Sequence, residues 1–159
     1  MTDDAQRREA LLDWCRARLG QVVHTSPWFT VTQERIDRFA EASGDYQWIH
    51  VDPARAAAES PWKSTIAHGY LTLSLYALLR APADGTPPWP GVRTVINYGL
   101  NRVRFTRAVR VNSRLRLNVT LGAVEAVPGA VQVVEACVFE LDNDTVPACV
   151  AEMVKRLYV

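Results

Sequence analysis

No Asp, Glu, Lys or Arg occurs between Lys63 and Arg80, a stretch that carries Ile66, Ala67, Tyr70, Leu71, Leu73, Leu75, Leu78 and Leu79. The run from Ser64 or Thr65 to about Leu79 reads as a helix without a solvated face, and a helix apolar nearly all round has to be buried. Its cover must come from the rest of the chain. Downstream of a loop punctuated by Pro82, Pro87, Pro88 and Pro90, the pattern changes from helical to alternating. Leu115, Leu117, Val119 and Leu121 alternate with Arg114, Arg116, Asn118 and Thr120, which marks a strand with one buried and one wet face. Val131 to Leu141 and Ala148 to Tyr158 read as further strands, with turn signals at Pro128-Gly129 and Asp142-Asn143-Asp144. The stretch Val95 to Phe105 is a strand whose apolar set changes parity around Gly99, as a β-bulge makes it do. Four antiparallel strands and a helix that needs cover define an α+β layout, a curved antiparallel sheet wrapped around a central buried helix.

The first half of the chain is shorter in its elements. Leu11, Leu12, Cys15 and Leu19 recur at spacings of three and four, which predicts a helix over 5–19 closed by Gly20. Val22, Val23, Trp28, Phe29 and Val31 predict a short strand interrupted at Pro27. Thr32 has the form of an N-cap, with Val31 and Ile36 placed as a hydrophobic staple. The helix it opens presents Ile36, Phe39 and Ala40 on one face and stops at Ser43-Gly44. Asp52-Pro53 caps and starts another helix, which Ser60-Pro61 breaks. The intervening segment from Asp45 to His50 is expected to be a loop. With no internal repeat and no second hydrophobic core in the pattern, residues 1–159 are expected to form one domain, of which 1–20 are a helical extension.

Composition narrows the function classes. Hydrophobic residues make up 48% and charged residues 22%, an ordinary globular balance that argues against disorder. A formal net charge of +1 argues against the basic surface that a nucleic-acid backbone needs, so nucleic acid is not an expected partner. No stretch reaches the ~18 apolar residues of a membrane span. Residues 1–9 carry acids where a signal peptide has a basic and then an apolar run, and Cys15, Cys137 and Cys149 show no CxxC spacing. Small buried thiols in a reducing cytoplasm are the expectation, without a disulfide framework or a thiolate zinc site.

One cluster asks for an explanation beyond folding. Asp45 and His50 stand five positions apart among Trp48, Ile49 and Val51, and such neighbours tune an acid and an imidazole toward neutral pH. A reference pKa of about 6.5 lets a histidine both take and return a proton there. The pair suits one shared water. From residue chemistry alone a plainer reading is favoured, in which Asp45 caps a turn and His50 is a hydrogen-bonded core residue. Gly69, at the start of the apolar helix, offers a first-turn N–H to a carbonyl oxygen that becomes anionic, or else merely permits close packing of helix on sheet. His50, Asp52 and His68 lack a supporting ligand set, so no metal is expected. Arg102, Arg104, Arg107 and Arg110 form a basic run that meets phosphates or is the wet face of a strand and its turn. Ser74 has no base at a recognisable spacing, and neither a GxGxxG nor a P-loop pattern is present.

The residues Ala42-Ser43-Gly44-Asp45-Tyr46-Gln47-Trp48-Ile49-His50-Val51-Asp52-Pro53, with Ile66-Ala67-His68-Gly69-Tyr70-Leu71 downstream, resemble the MaoC-like, R-specific enoyl-CoA hydratase family. Gln47-Trp48-Ile49-His50 and the stretch from Asn97 to Phe105 are similar to its NodN-type branch, and the likeness covers roughly residues 20–158. The resemblance implies a hot-dog fold, usually paired into a homodimer, and no metal or redox cofactor. It implies reversible hydration of a trans-2-enoyl-CoA to the (3R)-3-hydroxyacyl-CoA in fatty-acid metabolism, with an acyl-CoA thioester as the small-molecule partner. It places the catalytic aspartate on Asp45, the catalytic histidine on His50 and the oxyanion-binding N–H on Gly69. The commoner family form has Asn-Pro where this chain has Gln47-Trp48, and Trp48 is expected to take up more volume near the pocket. Two further readings keep the fold: a dehydratase acting on acyl-carrier-protein thioesters, and a non-catalytic hot-dog protein that binds an acyl thioester or a partner protein.

Overall fold

The computed structural model describes residues 3–82, 85 and 87–159; residues 83, 84 and 86 of the proline-punctuated loop lie outside the described residues. The elements run α1 (Asp3–Arg16), β1 (Val22–Thr25), β2 (Phe29–Thr30), α2 (Gln33–Ser43), α3 (Trp48–Val51), α4 (Pro53–Glu59), α5 (Gly69–Ser74) and α6 (Tyr76–Arg80), then β3 (Thr94–Phe105), β4 (Arg114–Val127), β5 (Ala130–Leu141) and β6 (Cys149–Tyr158). All strand pairs are antiparallel, in the order β1-β4-β5-β6-β3, with β2 also on β4. The four long strands expected from the alternation are all present, and the helices lie against the sheet as the α+β hot-dog layout requires. Leu115, Leu117, Val119 and Leu121 are fully buried, as their parity demands. The pairing of β3 with β6 shifts register between Asn97 and Gly99, where the bulge was expected, and again between Leu100 and Arg102.

Pro27 splits the edge that β1 and β2 form along β4, because proline has no N–H for the ladder. Ser26 bridges the break. Its N–H donates to the Leu117 carbonyl at 2.9 Å, and its hydroxyl accepts from the Leu117 N–H at 2.9 Å. α2 is held as its sequence requires: the Thr32 hydroxyl accepts from the Arg35 N–H at 3.3 Å, and Val31 and Ile36 are both fully buried.

The central helix departs from expectation in three ways. It starts at Gly69, because Thr65 to Ala67 run extended beside Val109 to Val111, with Ala67 N–H to Val109 O at 2.7 Å and Val111 N–H to Thr65 O at 3.0 Å. An apolar run reads alike for strand and buried helix, and here pairing decides. It is interrupted at Leu75, where the Ser74 hydroxyl donates back to Leu71 O at 2.8 Å and loosens the turn between α5 and α6. Nor is it buried all round. Leu71, Leu73, Leu75 and Leu79 pack with Leu117, Val119 and Phe139 under the sheet, whereas Tyr70 and Leu78 face outward.

A second buried cluster, absent from the sequence expectation, lies under α1. Leu11, Leu12 and Cys15 pack with Trp89, Leu121, Val131, Val133 and Leu157, so the N-terminal helix covers one end of β4, β5 and β6. Each leucine buried this way stabilises the fold by about 2 kcal/mol. α1 ends at Arg16, and Leu19, counted on its apolar face, is exposed in the turn that follows. Among the described residues no helix is long and apolar enough to cross a membrane.

Candidate active site

α2 ends because Gly44 adopts a left-handed conformation (φ 76°), its N–H closing on Ala40 O. The chain then makes an Asx turn: Asp45 Oδ1 accepts from the Gln47 N–H at 3.2 Å, and Oδ2 has no partner among the described residues. Asp45 is exposed, against the expectation that it is hemmed in by its neighbours. The turn starts α3, a single helical turn where a loop was expected, and that turn carries the His50 ring into the protein. His50 is only 6% exposed. Its Nδ1 donates to the Ile66 carbonyl at 2.7 Å; a carbonyl only accepts, so Nδ1 bears the hydrogen and Nε2 the lone pair. The plainer reading of both residues therefore describes half of each side chain, and the other half remains for chemistry. Asp52 accepts from the Arg55 N–H at 3.0 Å and caps α4, away from the pair.

Gln33, which no sequence signal singled out, ties these pieces together. Its Nε2 donates to the His50 carbonyl at 2.7 Å, and its Oε1 accepts from the Thr65 hydroxyl. In the sequence it is one more polar residue in the first turn of a helix.

The extended segment from Thr65 to Ala67 delivers His68 and Gly69. His68 is buried, its Nε2–H donates to the backbone carbonyl of Asp45 at 2.9 Å, and its ring stacks on that of His50 at 3.8 Å between centroids and 26° between planes. A carboxylate oxygen of Asp45 and one ring nitrogen each of His50 and His68 lie within 4.8 Å of one another. Two imidazoles that share an ion aim their in-plane lone pairs at a common point. These rings lie one over the other, so their lone pairs do not converge, and the cluster suits proton transfer better than metal binding. Burial lowers the pKa of His50 below 6.5; the Ile66 carbonyl opposes the shift, a charge on His68 adds to it, and the Asp45 carboxylate opposes it. The imidazole is thus a neutral base at physiological pH.

His50 and Gly69 line a cleft of about 440 Å³ together with Trp62, Thr72, Phe105 and Arg107. Asp45 is outside this lining and reaches it only through its closeness to His50. Gly69 opens α5, where a first-turn N–H has no partner within the helix. Trp48 is not in the cleft wall; it lies against Arg55, whose guanidinium carbon is 4.4 Å from its ring centre, and Trp62 is the tryptophan that takes up cleft volume. The four arginines do not converge either. Arg107 stands at this cleft and 3.5 Å from Asp144, while Arg102 and Arg104 line a separate groove with Glu152.

The hot-dog sheet thus brings an aspartate and a histidine together beside a helix-opening glycine, an arrangement that can exchange protons with a ligand in the cleft. Residues 15–140 match the family model described as MaoC like domain. The chain is 46% identical over 141 residues to 3-hydroxyacyl-thioester dehydratase Z of Mycobacterium tuberculosis, covering 88% of this chain and 91% of the relative. It is 41% identical over 140 residues to nodulation protein N of Rhizobium leguminosarum bv. viciae, covering 87% and 85%. Among solved structures, the R-hydratase PhaJ1 of Pseudomonas aeruginosa superposes with a TM-score of 0.69 at 26% identity, over 88% of this chain and 81% of that one. The chain belongs to the MaoC-like dehydratase family, whose hydratases and dehydratases are lyases.

Proposed function

We propose that this protein is an R-specific enoyl-CoA hydratase, which adds water reversibly to a trans-2-enoyl-CoA to give the (3R)-3-hydroxyacyl-CoA, with Asp45, His50 and Gly69 as its catalytic groups. The reading rests on the meeting of an Asp45 carboxylate oxygen with a ring nitrogen of His50 within 4.8 Å, in a His50 that lines a cleft with Gly69. A water held between Asp45 Oδ2 and His50 Nε2 gives one proton to the imidazole as its oxygen bonds to C3. The electron pair of the C2–C3 double bond moves toward the thioester oxygen, where the Gly69 N–H stabilises the enolate. The His50 imidazolium then returns that proton, which is taken up at C2 of the enolate, so that one water is added in total, the imidazole ends neutral and no electron leaves the substrate. Dehydration runs the same steps backwards. The names of the relatives support the reaction class, and Arg107 at the cleft suits a phosphate-bearing carrier such as CoA.

The purified protein should consume crotonyl-CoA, seen as loss of the conjugated thioester absorbance, with (3R)-product by chiral chromatography. Asp45→Asn and His50→Ala should each lower turnover at least ~10²-fold. Undiminished turnover in both variants overturns the assignment. Matched CoA and carrier-protein thioesters decide the carrier, and a clear preference for the protein thioester would make this a carrier-protein dehydratase.

The protein is further proposed to pair with a second copy through β3. That strand is the long edge of the sheet, opposite the short edge of β1 and β2, and Val95, Ile96, Tyr98 and Leu100 on it are exposed. A long apolar edge is a template for another strand.

A further inference from the structure

His68 touches both members of the proposed pair and is assigned to neither. It is 3% exposed, stacks on His50 at 3.8 Å, and its Nε2–H holds the Asp45 backbone carbonyl at 2.9 Å, while Phe39 lies 5.0 Å from its ring. Its Nδ1 is buried and has no hydrogen-bond partner among the described residues. A buried polar atom left unmatched costs stability, so packing alone favours an apolar ring at this place. The hydrogen bond and the stack are what phenylalanine or leucine would not supply together. They reach across from the segment before α5 to the turn after α2 and to α3, and they do so at the ring of His50 itself, where Gln33 reaches only its backbone carbonyl.

We infer that His68 is a positioning residue: one hydrogen bond and one ring contact fix where the Asp45 carboxylate stands relative to His50. This rests on the reading of Asp45 and His50 as the acid/base pair. Misplacing a reacting group by about 1 Å costs on the order of 10²-fold in rate, which gives a single bridging side chain a kinetic role without any contact to substrate. The titratable groups facing His50 are His68, which disfavours its charged form, and Asp45, which favours it, so loss of His68 also removes one of the two influences on the His50 proton.

Two variants separate the contacts. His68→Phe keeps a ring over His50 and drops the N–H; His68→Gln keeps a donor for the Asp45 carbonyl and drops the ring. Each is expected to lower kcat about tenfold or more with KM little changed, and each to move the His50 titration, followed by proton NMR, to higher pH. A merely structural His68 would lower the melting temperature and leave kcat per folded molecule and the His50 titration unmoved, which overturns the inference. Should neither variant fold, the nitrogen-15 shifts of the wild-type imidazoles decide. Hydrogen on Nε2 of His68 upholds the bond to Asp45, and hydrogen on Nδ1 alone rules it out. Loss of activity in Asp45→Asn and His50→Ala with unaltered His68 variants would sink this inference alone, whereas activity surviving in Asp45→Asn and His50→Ala would sink the hydratase reading.

Discussion

The ring of Phe105 stands 3.0 Å from the point where a β-carbon on Gly69 would lie, so the last residue of β3 leaves room there for no side chain without moving. Phe105 is half-exposed and can give way, but the space it yields into is the cleft. Gly69→Ala should therefore fold, helped by alanine's helix propensity of up to ~1 kcal/mol over glycine, and lower kcat/KM about tenfold. Phe105→Leu in the same chain should restore most of the loss. A double-mutant cycle in kcat/KM checks this, and simple additivity of the two changes would show that the contact is not what glycine serves.

The pH dependence has a definite sign. The base works when neutral, and burial holds the pKa of His50 below 6.5, so the acid limb of kcat/KM should fall below pH 6.5. The same shift acts on stability. The unfolded chain binds that proton more tightly, so the contribution is complete above about pH 6.5 and is lost as pH falls toward the folded-state pKa. A rate profile on enoyl-CoA with its acid limb above pH 6.5 contradicts the assignment of His50.

Much of this framework was legible in residue order. The alternation of Leu115 to Leu121, the cap at Thr32 and the turn at Gly44 are local chemistry, and they stand where local chemistry puts them. Asp45 and His50 were legible as a pair by spacing. Gln33 and His68 were not, because their value lies in partners 17 and 23 positions away along the chain. The start of the central helix was misread because pairing between Thr65 and Val111 outweighs the apolar run. One signal was present and unused: on β5 and β6 the inward parity that holds Val133, Cys137, Ala151 and Leu157 also falls on Glu135 and Lys155, an acid and a base at core positions of neighbouring strands.

Those two residues carry a prediction. The Tyr76 hydroxyl donates to the Glu135 carboxylate, Arg80 Nε donates to its other oxygen at 3.2 Å, and Lys155 Nζ lies 3.8 Å over the Tyr76 ring and donates to Asn97 Oδ1 at 3.0 Å. Glu135 is fully buried, and Arg80 and Lys155 nearly so. Glu135→Gln leaves the buried Arg80 guanidinium without its anion, a loss of about 3–5 kcal/mol by urea denaturation at pH 7. A change under ~1 kcal/mol would mean that the charges escape to water.

Burial pushes the thiols up, Cys137 to about 12 and Cys15 and Cys149 to about 11. The thiolate is the reactive form. Iodoacetamide at pH 8 should leave all three unmodified in the folded protein and label all three in urea, counted by mass spectrometry. Rapid labelling of the folded protein would place a thiol at the surface.

The long edge of the sheet gives the last test. β3 is 12 residues long, and Leu100 on it, with Tyr70 on α5, lines a largely apolar groove of about 350 Å³ between strand and helix. Tyr70 is 73% exposed and Leu100 46%, more than such side chains sustain in contact with water over a whole face. A second copy laid antiparallel along β3 satisfies the free N–H and C=O groups of both edges and covers both grooves in one step. Phe105 and the cleft it lines stand at the end of that strand, so pairing there is expected to reach the wall opposite Gly69. Sedimentation of the wild-type chain at micromolar concentration should give a dimer, and Leu100→Asp with Tyr70→Asp should give a monomer with reduced kcat/KM. A wild-type monomer under those conditions would show that this edge is covered by something other than a second copy.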